Sequence, residues 1–143
     1  MVALSGQEVY VQTEARVKHP PRSLDGIRVL DFTWVRAGPW GTRWLGALGA
    51  QIIKVEWPQN PDPLRNLGGS TTPPGVEINL NTSGQFNDTN ANKFSITVNT
   101  RTEKGLDLIK RMIAISDVVI ENYSARVMKN FGLTDLRLVN PDA

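Results

Sequence analysis

Apolar residues in this chain come in short runs that end in polar or kinked tips, with helical spacing between the runs. Residues 27–32 are apolar nearly throughout, as expected of a strand covered on both sheet faces. Pro39 suits the first position of a helix, where its missing N–H costs nothing. Trp40, Trp44, Leu45 and Leu48 then follow at i, i+4, i+5 and i+8, which predicts one buried helix face. Gly49 is expected to close that helix in left-handed backbone, and residues 51–55 read as a second strand. This is the grammar of a βαβ unit.

Residues 58–93, rich in Pro, Gly, Asn and Thr, read as a long irregular segment: a lid, an arm against another subunit, or disorder. Within it, residues 79–84 have turn chemistry rather than the pattern of an element. Residues 95–98 alternate as a short strand. Thr100 and Glu103 have capping-box spacing before a helix that buries Leu106, Ile109, Met112 and Ile113. Residues 117–120 predict a fully buried strand. Ser124 is expected to cap a short helix through Val127, Met128 and Phe131, closed by Gly132, and Thr134 to start another, stopped at Asn140-Pro141. Residues 1–23 read as a flexible arm before one α/β domain over 24–143. The alternation calls for a further strand after the last helix. The chain is therefore read as an amino-terminal piece of a larger protein, with a complete small α/β domain as the alternative.

Composition removes several chemistries. The chain has no Cys, so disulfides, thiolate nucleophiles and most zinc sites are excluded. Its one histidine, His19, lies in the leading arm, which leaves no Ser-His or multi-histidine centre. No apolar run approaches the roughly 18 residues of a membrane span, and the start lacks a signal-peptide core, so cytoplasm is the expected compartment. The net charge of +2 comes from scattered Lys and Arg, which disfavours nucleic acid and leaves a small anionic ligand open.

In an open α/β sheet, ligands bind beyond the carboxyl ends of the strands. The tips there are Arg36-Ala37-Gly38-Pro39, Glu56-Trp57, Asn99-Thr100-Arg101 and Glu121-Asn122-Tyr123. Arg36 and Arg101 beside two helix starts would suit phosphates; the alternative is that both are solvated surface groups. Glu56 stands where a dinucleotide fold places its ribose-binding acid. The first turn, however, is Arg36-Ala37-Gly38-Pro39-Trp40-Gly41, with bulk where G-x-G-x-x-G needs room, so a nicotinamide-dependent oxidoreductase is disfavoured. The tryptophans read as core or interface, with Trp57 the best candidate for stacking on a purine. Asp31 reads as a cap of the turn that follows it.

The motifs together resemble the amino-terminal part of family III CoA-transferases, the group of formyl-CoA and carnitine CoA-transferases and, more distantly, alpha-methylacyl-CoA racemase. The resemblance rests on Leu24-Asp25-Gly26-Ile27-Arg28-Val29-Leu30-Asp31-Phe32-Thr33, Ala37-Gly38-Pro39, Leu48-Gly49-Ala50 through Ile53-Lys54-Val55-Glu56, and Asp62-Pro63-Leu64-Arg65. Asn92-Lys93 with Ser95-Ile96, Thr102-Glu103-Lys104-Gly105, the run from Asp117 to Tyr123, Phe131-Gly132-Leu133 and Asn140-Pro141 complete it. It implies a Rossmann-like parallel sheet with flanking helices, incomplete here, from an interlocked dimer that moves CoA between an acyl thioester and a carboxylic acid. An aspartate attacks the thioester, giving a mixed anhydride and then an aspartyl-CoA thioester that the acceptor resolves.

The resemblance places CoA contacts at Arg36, Ala37, Trp57, Val98, Arg101, Asn122, Tyr123 and Asn130. CoA or acyl-CoA enters as substrate, with no covalently bound cofactor and no metal. Arg36 stands where formyl-CoA transferase has Gln, Trp57 and Asn130 where it has Arg, and Phe94 where Arg is usual. Ser124 stands where the racemase branch has Arg. The family's nucleophilic aspartate is expected beyond Ala143, so no catalytic residue is assigned and this chain alone is expected to be inactive. A homodimer, or pairing with a polypeptide that carries the rest of the fold, is the expected assembly. A non-catalytic remnant or assembly module of the same fold is the alternative function.

Overall fold

The strands form where β-branched and apolar residues cluster: β1 (Arg28–Asp31), β2 (Gln51–Glu56), β3 (Lys93–Thr97) and β4 (Val118–Ile120). In the computed structural model, which describes residues 20–68, 72–124 and 126–133, they make one parallel sheet in the order β3-β2-β1-β4. The leading arm to residue 19 and the helix expected from Thr134 lie outside the described residues. Register pairs Leu30 with Ile53 and with Val119, and Val55 with Ile96. Side-chain alternation then sends Leu30, Phe32 and Val55 to one face, where they pack with Val98, Ile109, Ile113 and Leu133. Val29, Ala50 and Ile52 gather on the other face with Leu45 and Ile120.

The helices are α1 (Ala37–Ala47), α2 (Gly84–Thr89), α3 (Glu103–Ala114) and α4 (Val127–Asn130), with a 3-10 turn at Pro63–Leu67. Helix α1 begins two residues earlier than Pro39 announces, and its buried residues are Pro39, Thr42 and Gly46 rather than the tryptophans. Trp40, Trp44 and Leu48 are 44%, 54% and 49% exposed. The reason is what lies beneath the helix. Thr42 donates its hydroxyl to buried Asp31 at 2.7 Å, and a Cβ on Gly46 would come within 3.2 Å of Ile52. A small, polar face fits this floor; a tryptophan face does not. The two rings instead pack edge to face on each other at 6.3 Å. Gly49 closes the helix with φ +114°, as expected.

The described residues of 58–93 are not structureless. Asp62 accepts from the Leu64 amide at the start of the 3-10 turn. Ser83 caps α2 through the Phe86 amide and donates its hydroxyl to the Leu64 carbonyl at 2.6 Å. The residue just after the Asn79–Thr82 turn therefore starts an element, and β3 begins at Lys93. The Ser83–Leu64 joint connects residues 19 apart, beyond the reach of local pattern.

The cap of α3 is Thr102, not Thr100: its hydroxyl accepts from the Gly105 amide at 3.1 Å. Asn99 holds the preceding turn by accepting from the amides of Arg101 and Thr102, which delays the helix. Strand β4 is not fully buried, since Val118 is 38% exposed. Among the described residues it pairs only with β1, so it is an edge strand. The residue flanking α4 is Arg126 rather than Ser124, and Gly132 ends the segment at φ +70°. Among the described residues no helix is long and apolar enough to cross a membrane.

Candidate functional site

Four parallel strands point their carboxyl ends the same way, so the four tips named above meet along one sheet edge. Beyond that edge lies a cavity of about 410 Å³. Its floor is apolar: Phe32 from the end of β1, Val55 from β2 and Val98 just after β3. One wall is a chain of edge-to-face rings, Trp34 to Tyr123 at 5.4 Å and Tyr123 to Phe131 at 6.4 Å. The rim carries Trp57, Asn60, Thr100, Arg101 and Asn130. The Arg101 guanidinium lies 4.6 Å from the Trp57 ring centroid, a cation held over a π face at the mouth.

Of the eight residues singled out from the sequence, Trp57, Val98, Arg101, Tyr123 and Asn130 line this cavity. Arg36, Ala37 and Asn122 do not line it. Arg36 is exposed and donates to the Gln85 side chain. Ala37 opens α1. Asn122 spends its amide on the Trp34 backbone, accepting from the N–H at 2.7 Å and donating to the C=O at 2.9 Å. Sequence reasoning missed Phe32, Trp34, Asn60 and Phe131, apolar or neutral residues that only topology gathers.

Beneath the crevice, on the α1 side, runs a buried ionic layer. Asp31 is wholly buried and accepts from the Thr33 amide, from the hydroxyls of Thr33 and Thr42, and from Lys93 Nζ at 3.0 Å. It caps the turn, as the sequence suggests. Lys54, 1% exposed, donates to the Thr33 carbonyl at 2.7 Å and pairs with Asp62 at 3.3 Å. Glu56 accepts two hydrogen bonds from Arg65, at 2.6 and 2.9 Å, so it is committed to the fold rather than to a ribose. The signal for this layer was available: a lysine inside Ile53-Lys54-Val55 on a strand covered on both faces demands a carboxylate partner.

The layer also sets the ionisation of its members. Burial pushes the Glu56 carboxyl up, but hydrogen bonds and charge from Arg65, with help from Lys54 and the Asp62 amide, hold it below 4.5. Burial pulls Lys93 below 10.5 even though Asp31 faces it. Tyr123 is driven well above the ordinary phenol range by burial first and then by the charges of Asp31, Asp62, Glu121 and Glu56. Its hydroxyl is thus a neutral donor throughout the physiological range. Among the described residues no group of three or more acidic or histidine side chains could hold a metal ion.

The crevice thus offers an apolar, aromatic slot, a cation at its mouth and neutral hydrogen-bonding groups around the rim, with Glu56 of the lining neutralised by Arg65. The profile of CoA-transferase family III matches residues 24–142. The chain is 38% identical over 135 residues to succinate–glutarate CoA-transferase of Agrobacterium fabrum, covering 90% of this chain and 32% of that protein. It is 38% identical over 125 residues to formyl-CoA:oxalate CoA-transferase of Streptomyces avermitilis, covering 84% of this chain and 28% of that one. A solved CAIB/BAIF family protein from Brucella suis superposes with a TM-score of 0.73 at 36% identity, over 85% of this chain and 32% of its own. The chain spans about a third or less of the length of each.

Proposed function

This chain belongs to CoA-transferase family III, and from that premise we propose that its crevice holds the CoA of an acyl-CoA during CoA transfer to a carboxylic acid. The observation that carries the reading is the cavity itself, with apolar floor, aromatic wall and the Trp57–Arg101 pair at the mouth. A purine stacks well on such surfaces, and a guanidinium beside it suits a phosphate. Neutral Tyr123 and Asn130 add hydrogen bonding without repelling the ligand's negative charge.

On this reading the described residues bind the carrier and do not supply the attacking carboxylate. Asp31, Glu56 and Asp62 are buried and engaged by Lys93, Arg65 and Lys54. A carboxylate that these 143 residues do not supply completes the site. An assembly role for the same fold finds support in the exposed Trp40, Trp44 and Leu48 on α1, and a dimer is the proposed assembly.

Calorimetric titration of the 143-residue chain with CoA tests the reading. Arg101→Ala should weaken binding about tenfold, the equivalent of roughly 1.5 kcal/mol for a charge-assisted hydrogen bond near the surface. Absence of CoA binding by the unaltered chain refutes the proposal. CoA-transferase turnover by this chain alone refutes the assignment of the nucleophile elsewhere.

A further inference from the structure

Val35 adopts φ +63°, a left-handed conformation that a β-branched side chain strongly disfavours. It stands in the turn between β1 and α1, and that turn is gripped along its length. Lys54 Nζ holds the Thr33 carbonyl at 2.7 Å. Asn122 takes both the N–H and the C=O of Trp34. Asp62 accepts from the Val35 amide at 3.3 Å. The grips come from β2, from the end of β4 and from the segment after β2, three separate parts of the chain. Strain of this kind persists only where the surroundings over-determine the backbone.

What the grip secures is Trp34, whose indole forms a wall of the cavity against Tyr123. We propose that Asn122 and Asp62 are positioning residues of the CoA site: they hold the strained Trp34–Val35 turn so that the Trp34 ring stays in the cavity wall. The inference rests on the CoA reading above and deepens it. Gly38 is part of the same device. A Cβ there would lie 2.4 Å from Thr33 Cβ and 3.0 Å from Asn122 Cγ, so only glycine lets the amide approach the turn.

Asn122 is exposed, so its truncation leaves the core intact. Freed of that grip, the strain at Val35 favours relaxation of the turn and removal of Trp34 from the wall. Asn122→Ala should therefore weaken CoA binding about five- to tenfold, the order of one or two hydrogen bonds. Val35→Asn places a residue that tolerates the left-handed region, so the turn keeps its shape with fewer restraints. The double variant Asn122→Ala/Val35→Asn should recover most of the lost affinity. Calorimetric titration with CoA, paired with melting temperatures for each variant, reads the result. A residue that only stabilises the fold lowers the melting temperature without changing affinity, and Val35→Asn then rescues nothing; that outcome overturns the proposal. Should Asn122→Ala not fold, Asn122→Asp keeps the acceptor, loses the donor and carries the same test. No CoA binding by the unaltered chain overturns the function reading itself, whereas normal binding by Asn122→Ala overturns only this inference.

Discussion

Removing the Lys54 ammonium should be the most damaging single change beneath the crevice. Lys54 and Asp62 are 1% and 0% exposed and meet at 3.3 Å. In Lys54→Met the methylene stem is kept and the charge is lost. Asp62 then retains the amides of Val35 and Leu64 but loses its ion-pair partner, with Lys93 the cation left to act on it, and the Thr33 carbonyl loses its 2.7 Å donor. An uncompensated buried charge of this kind costs about 3–5 kcal/mol. In a chain of this length that is a melting temperature lower by roughly 10–15 °C, at about 3 °C per kcal/mol. Lys54→Met/Asp62→Asn removes the stranded charge while keeping an acceptor for both amides, so it should recover about 2 kcal/mol of the loss. Urea unfolding followed by far-ultraviolet circular dichroism gives all four corners of the cycle. A Lys54→Met midpoint indistinguishable from the unaltered chain refutes the reasoning. So does a double variant whose loss equals the sum of the singles.

Gly105→Ala would set a Cβ 2.0 Å from the Asn99 carbonyl oxygen, a backbone atom that cannot rotate away. It should cost about 1–3 kcal/mol or more and weaken CoA binding as the Asn99–Arg101 rim shifts; Gly41→Ala, with nothing within 4 Å, should instead stabilise the chain by about 0.5–1 kcal/mol in a melting experiment. Glu56 has a folded-state pKa held below its ordinary 4.5, so its contribution is complete above that value and is lost as pH falls through the lower folded-state value. Urea midpoints should decline below about pH 4.5, and Arg65→Met should flatten that decline; an unchanged slope counts against the pair.

The parallel sheet and the convergence of its tips were legible because runs such as Val29-Leu30 and Ile52-Ile53 carry their own period and their own stops. The tip residues Trp57, Arg101 and Tyr123 reached the cavity for the same reason. Most of what escaped is governed by side-chain contacts between distant residues; the shifted cap of α3, set locally by Asn99, is the exception. The buried face of α1 was misread because hydrophobicity favours Trp40 and Trp44, while the floor beneath selects Thr42 and Gly46 to meet Asp31 and Ile52. Residues 58–93 looked structureless because their order derives from Arg65 on Glu56 and Asp62 on Lys54 rather than from local propensity. The hold of Asn122 on the Trp34 backbone was invisible because nothing in a sequence links residues 88 apart.

The pairing of Val29 with Val118 spans most of the chain between them. Pairing between residues this remote carries a loop-closure cost that local contacts do not, and such non-local contacts slow folding. The segment that follows this strand carries Tyr123 into the crevice and Asn122 onto the Trp34 turn beside it. A nascent or half-folded molecule in which β1, β2 and β3 have already associated therefore has its central sheet but neither the brace on Trp34 nor the neighbouring phenol. If the crevice holds CoA as proposed, binding depends on this edge strand, and heat or denaturant that loosens the edge should abolish binding before the rest of the structure melts.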